Sequence, residues 1–169
     1  RPTLSAVIEP RIDRLVVPLD GSALARHALP VAAQVANAHR LPVQLVRVIN
    51  PTPALHPSLV VAAAISDEAY QAAYEQEELD VERTLQEASY ELHVQGIETS
   101  TRTMVGQTVQ GIEATLSPGD VVVITSHGRG GIRRWLLGSV AEQLVRGGMA
   151  PVMVVPVTER RATRAPAPV

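Results

Sequence analysis

Residues 125 to 139 read TSHGRGGIRRWLLGS and gather the side chains with the most distinctive chemistry in the chain. Gly128, Gly130 and Gly131 let the backbone turn sharply and approach a ligand with no Cβ in between. Arg129, Arg133 and Arg134 add positive charge suited to phosphate or carboxylate. Ser139 with Glu142 three residues later has the spacing of a capping box, which starts a helix at Ser139. Free N–H groups and the positive end of the helix dipole then point at whatever the loop holds, which is the chemistry of an anion site.

Two common phosphate loops do not fit. A P-loop needs Lys after its second Gly, and all fifteen basic residues here are Arg. A dinucleotide fingerprint begun at Gly128 needs Gly where Arg133 stands. Glycine punctuates turns everywhere, so a Gly-rich loop alone is equally compatible with a plain turn. The strand before it and the capped helix after it favour the anion site. His127 either touches a phosphate or holds the loop's shape. No acid/base pair stands out, because a lone His127 and Asp20 do not make one, and no G-x-S-x-G elbow occurs. His27, His39, His56 and His93 are scattered without ligand spacing, so no metal site is expected.

The elements that must position this loop are legible around it. Val121 to Ile124 is an uninterrupted β-branched run, as in a strand buried on both faces of a parallel sheet. A first strand precedes Asp20, and a helix from about Ser22 to His39 carries Leu24, Ala28, Leu29, Ala32, Val35 and Ala36 at helical spacing. A second strand covers Val43 to Ile49. After a Pro-rich stretch (Pro51, Pro53, Pro57), a long helix runs from about Glu68 to Gln95 with Tyr74, Val81, Leu85, Ala88 and Leu92 as its apolar stripe. Glu98 to Val105 alternates and reads as an edge strand. A short helix from Gly106 and Thr108 to Leu116 follows, and Val152 to Val157 is the last strand. Alternating strands and helices predict an α/β fold with a parallel sheet and right-handed crossovers. The expected domain is 12–157, with a lead-in over 1–11 and an Arg/Ala/Pro tail over 158–169.

At 169 residues one core of ordinary size is expected. A formal charge of −2 and few aromatics do not point to nucleic acid. Charge is nevertheless uneven: residues 67–91 carry nine acids against Arg83, which reads as a solvated helix face, while 126–146 is net positive. Cysteine is absent, excluding thiol redox chemistry and disulfides. The longest apolar run, Leu59 to Ile65, is far short of the roughly 20 residues that span a bilayer. The first ten residues lack the regions of a signal peptide, so the expected location is cytoplasmic.

The loop resembles the nucleotide-binding signature of the universal stress protein family: Gly, two residues, Gly, nine residues, then Gly followed by Ser or Thr. Gly128 is the second Gly, and Gly138-Ser139 close the pattern. Thr125 stands where the first Gly belongs. The N-terminal run Arg14 to Ser22 resembles the family's first strand and turn, and Val43 to Ile49 its second strand. The resemblance covers about residues 12 to 157. It implies an open, doubly wound five-stranded sheet of order 3-2-1-4-5 with helices on both faces, and a crevice between strands 1 and 4. It further implies ATP as ligand, with Mg²⁺ through the phosphates. Backbone around Gly128, Gly138, Ser139 and Val140 would hold the phosphates, with Thr125, His127 and Arg129 in the same loop. Pro18, Leu19, Asp20, Val48 and Ile124 would hold the nucleoside. The last strand is expected to pair with its twin in a homodimer. A stress-response regulatory module is the implied function, with at most weak ATP hydrolysis; a dimeric scaffold that binds no nucleotide is the alternative.

Overall fold

The β-branched runs Val43–Ile49, Val121–Ile124 and Val152–Val155 become strands because such side chains pack well on a pleated surface covered by helices. The computed structural model describes residues 11–50, 61–126 and 137–157. The strands are β1 (Arg14–Pro18), β2 (Val43–Ile49), β3 (Thr99–Val105), β4 (Asp120–Thr125) and β5 (Val152–Val155). They form one sheet of order β3-β2-β1-β4-β5 with every neighbouring pair parallel, as the resemblance implied. Helices α1 (Ala28–His39), α2 (Asp67–His93), α3 (Thr108–Glu113) and α4 (Ser139–Gly147) connect them.

Alternation along the strands divides the interior into two layers. Leu15, Val17, Leu45, Val121 and Val123 meet α1 and α2 through Ala28, Leu29, Ala32, Val81, Leu85 and Ala88. Val16, Val46, Val122 and Ile124 meet α3 and α4 through Ile112, Ala141 and Leu144 on the other face. The helices therefore cover both faces; β4 is buried along its length and β1 everywhere but at its end residues Arg14 and Pro18. β3 lies at one edge and is largely exposed, as its polar sequence predicts.

At the N-terminal end of the sheet, Arg14 Nε and Nη2 donate to Asp120 Oδ1 and Oδ2 at 2.9 and 2.6 Å, and Asp120 also accepts from the Ser117 N–H at 2.8 Å. Arg14 Nη2 reaches the Thr115 carbonyl as well, at 3.2 Å. The bond to Asp120 raises the Arg14 pKa above its already high ordinary value. A bidentate pair here fixes β1 against β4 where their ladder starts.

Several expected boundaries move. The helix expected from Ser22 begins with a 3₁₀ turn, Ala25–His27, and becomes α-helical at Ala28. Ser22 is consumed by the preceding turn, where its Oγ accepts from the Ala25 N–H at 3.1 Å. α2 starts at Asp67 behind Ser66, whose Oγ accepts from the Ala69 N–H. α3 stops at Glu113, three residues before Leu116. β5 ends at Val155, because Pro156 has no N–H to continue the ladder. The lead-in over residues 1–10, the Pro-rich stretch from Pro51, and the tail from Thr158 lie outside the described residues.

Candidate functional site

The site begins where β1 and β4 part. Their ladder pairs Arg14 with Asp120, Leu15 with Val121 and Val16 with Val122, and no pairing is formed beyond, although β1 runs to Pro18 and β4 to Thr125. Each strand keeps to its outer neighbour instead. The Leu19 N–H donates to the Val46 carbonyl of β2 at 2.8 Å, and the Ser126 N–H donates to the Val155 carbonyl of β5 at 2.9 Å. A crevice opens between them at the C-terminal ends, where the strand order reverses. Open α/β sheets bind ligands at that place.

Asp20 stands on one lip, half-buried. Its Oδ1 accepts from both the N–H and the Oγ–H of Ser22, at 2.8 and 2.6 Å. This Asx turn holds the carboxylate in one orientation. Gly21 within it has φ +79°, the left-handed region that favours glycine. Below the turn lies Arg47, buried on β2. Its Nη1 donates to the Leu19 carbonyl at 3.2 Å, and its Nη2 pairs with Glu77 of α2 at 3.2 Å.

The opposite lip is the start of α4. The Gly138 N–H donates to the Ser126 carbonyl at 2.6 Å and closes the base of the loop that joins β4 to α4. Gly138 itself is the N-cap, with an extended ψ of 150°. The capping box expected from Ser139 and Glu142 is therefore not formed. Ser139 is the first helical residue, the N-cap Gly138 has no side chain to cap α4, and Glu142 pairs instead with Arg146 at 2.8 Å. The correction has a physical cause. Loop closure uses the Gly138 N–H and sets the helix start one residue earlier, beyond reach of the Ser139 hydroxyl. It leaves α4 with a cap that supplies no side-chain acceptor of its own, and N–H groups at such a helix start can receive an anion.

The remaining candidates divide clearly. Pro18, Leu19 and Ile124 end the two strands beside the crevice, and Val140 lies in the first turn of α4. Val48 is half-buried near the end of β2, and its side chain lies against Gly111 of α3. A Cβ on Gly111 would stand 2.8 Å from Val48 Cγ1, so this glycine lets α3 cross over the valine. Thr125 is the last residue of β4 and is buried. By alternation it shares the α1/α2 face with Val121 and Val123, whereas α4 lies on the other face. His127, Gly128 and Arg129 lie outside the described residues.

Sequence reasoning missed Arg47, Glu77 and Ser126. A signal for the first two existed: Arg47 is in phase with inward-facing Val43, Leu45 and Ile49, and Glu77 lies one turn before inward-facing Val81. Charged residues in phase with two apolar faces are candidates for partners. Among the described residues there is no group of three or more His, Asp or Glu that could hold a metal ion. No described helix is long and apolar enough to cross a membrane. A groove between α1 and α2, lined by Arg26, Ala33 and Glu91, and another between α2 and β3 are separate from the crevice.

An open parallel sheet, helices on both faces and a crevice at the strand reversal define a doubly wound α/β protein, a class whose ligands generally bind at that reversal. The model of the universal stress protein family matches residues 11–156, and the chain belongs to that family. No curated protein sequence matches it. Among solved structures it is similar to the hypothetical protein MJ0577, with 21% identity, TM-score 0.68, and coverage of 87% of this chain and 97% of the other. It is similar also to a universal stress protein in complex with cAMP, with 21% identity, TM-score 0.57 and coverage of 88% and 99%. The universal stress protein from Archaeoglobus fulgidus in complex with dAMP gives 21% identity, TM-score 0.54 and coverage of 84% and 96%. These likenesses extend the agreement in fold over nearly the whole of each neighbour.

Proposed function

We propose that this chain binds an adenine nucleotide, ATP, in the crevice between β1 and β4 and acts as a homodimeric regulatory module of the stress response. The observation that carries the reading is the parting of β1 from β4, which leaves Asp20 on one lip and the uncapped start of α4 on the other. An acidic acceptor suits the nucleoside hydroxyls, while free helix N–H groups suit the phosphates. Neighbours of the same fold are complexes with cAMP and dAMP, which share the adenine nucleotide with ATP. On this reading Pro18, Leu19, Asp20, Val48 and Ile124 hold the nucleoside, and Gly138, Ser139 and Val140 hold phosphates with Gly128. On the same reading Thr125, at the end of β4, and His127 and Arg129, which follow it in the chain, also belong to the site.

The fit extends to magnesium only through the ligand. With no carboxylate group gathered among the described residues, Mg²⁺ would be held by the phosphates, whose charge it would neutralise. Hydrolysis beyond a trace is not part of the proposal, since among the described residues no acid/base pair is gathered at the crevice. The homodimer would form through β5, whose outer side is open to a second copy and whose Met153 is exposed.

The test is to denature freshly purified protein and identify released nucleotide by chromatography and mass spectrometry, then titrate ATP calorimetrically into emptied protein. Near-stoichiometric adenine nucleotide, or saturable heat, is expected. An empty protein that ignores added ATP in both heat and melting temperature would sink the nucleotide reading. A second reading, a dimeric scaffold without nucleotide, is favoured by Thr125 at the first glycine position of the signature. In that case Thr125→Gly would create ATP binding that the parent chain lacks.

A further inference from the structure

We propose that Arg47 is a positioning residue of the crevice: from beneath the Asp20-Gly21-Ser22 turn, its guanidinium fixes the backbone that aims Asp20, and Glu77 of α2 anchors it. The ligand in this inference rests on the nucleotide reading above, whereas the positioning rests on geometry alone.

An arginine side chain only 7% exposed, inside a strand whose neighbours are apolar, needs compensation for its lost hydration. Here the planar fork is divided between two elements. Nη1 donates to the Leu19 carbonyl, the last backbone acceptor before Asp20, and Nη2 pairs with Glu77 Oε1 on the facing helix. The same guanidinium fills the space over Gly21: a Cβ there would lie 3.0 Å from Nη1 and 3.3 Å from Nη2. With its φ of +79°, Gly21 satisfies both demands at once, being free to adopt the left-handed conformation and slim enough to accept the cation against its Cα. The turn is thus moulded on Arg47, and the Asx bonds from Ser22 to Asp20 Oδ1 lock the carboxylate onto that mould. A planar guanidinium serves both partners in fixed directions, which a single ammonium point charge does not. Arg47 does not face the ligand; it acts through Leu19, Gly21 and Asp20.

Two variants test this, because removing one member of a buried pair strands the other. Arg47→Met/Glu77→Met replaces the pair with apolar side chains of similar length, and Arg47→Lys keeps the charge but loses the fork. Hydrogen exchange followed by NMR at the Ser22 amide, which donates to Asp20, is read without any nucleotide. Exchange there is expected to quicken about tenfold in both variants relative to core amides of β1, as the turn opens more readily. ATP affinity, measured by calorimetry, is expected to fall about tenfold, the scale of one lost hydrogen bond. In an Asp20→Ala background the same replacements are expected to change affinity less than twofold, since their effect runs through Asp20. Unchanged Ser22 exchange in both variants overturns the inference whatever ATP does. An undiminished affinity loss in the Asp20→Ala background overturns it too. Should the parent chain ignore ATP, the nucleotide reading falls, while the exchange measurement still decides whether Arg47 holds the turn.

Discussion

Gly111 shows how a residue with no side chain can control one that the nucleotide reading assigns to the nucleoside, Val48. In an exposed helix, Gly→Ala stabilises by about 1 kcal/mol through helix propensity. At Gly111 the new Cβ would press on Val48 at 2.8 and 2.9 Å, and a valine has no alternative rotamer to withdraw into cheaply. Overpacking of this kind costs about 1–3 kcal/mol, so the sign reverses. Gly111→Ala is therefore expected to lower the midpoint of urea unfolding and to weaken ATP binding, because Val48 is displaced toward the nucleoside. A raised midpoint would show that α3 simply moves away. The residue scale is also where sequence was least sufficient. Asp20 could be singled out from D-G-S and a resemblance, but its orientation depends on Arg47 and Glu77, which lie 27 and 57 residues further along the chain. Neither residue belongs to a local motif; only their phase with buried neighbours marked them.

At the scale of elements, strands were legible, and helix starts were legible everywhere but at α1. Val43–Ile49 and the β-branched core of β4 declare themselves because burial on both faces demands continuous apolar runs. Helix starts depend on which donor the preceding loop has already used. Ser22 is committed to Asp20 and to the 3₁₀ turn, so the start of α1 shifts to Ala28, while α4 starts at Ser139 as expected with Gly138 rather than Ser139 as its cap. The order of the strands was not legible in periodicity at all, and entered through the resemblance. The uncapped start of α4 yields a prediction with opposite signs in two measurements. Gly138 has φ −59°, which any residue can adopt, so Gly138→Asp would place a carboxylate over the free N–H groups. Relative to a Gly cap the gain in stability is a few tenths of a kcal/mol, about enough to raise the melting temperature slightly. ATP binding should meanwhile fall at least tenfold or so, since a negative side chain now occupies the phosphate position. Unchanged affinity would mean the phosphates do not use this helix.

Over the whole molecule, the two ends of the sheet do different work and can be separated by mutation. Asp120 is 3% exposed and holds Arg14 at the end remote from the crevice. Losing one partner of a buried pair costs about 3–5 kcal/mol, and the quarter-exposed Arg14 side chain reduces that to about 2–3 kcal/mol. Asp120→Asn is expected to lower stability by this amount in denaturant unfolding while ATP affinity, measured well below the transition, stays within a factor of about two. A matching loss of affinity would mean the crevice is not insulated from its base. At the lateral edge, if the proposed homodimer forms through β5, Met153→Arg is expected to convert it to a monomer in sedimentation velocity without altering ATP binding, since a charge facing its own copy opposes strand pairing. Between these places runs the shortest ladder of the sheet, three residue pairs joining β1 to β4. In mechanical terms the molecule resembles a spring clip: β3, β2 and β1 form one jaw, β4 and β5 the other, and the Arg14–Asp120 pair is the rivet. A clip widens most at the tip for a small rotation at the rivet, so a pull along this seam would part the jaws at Asp20 and Gly138 before it broke the Arg14–Asp120 pair, with α1 stretched across the gap because it packs on both jaws.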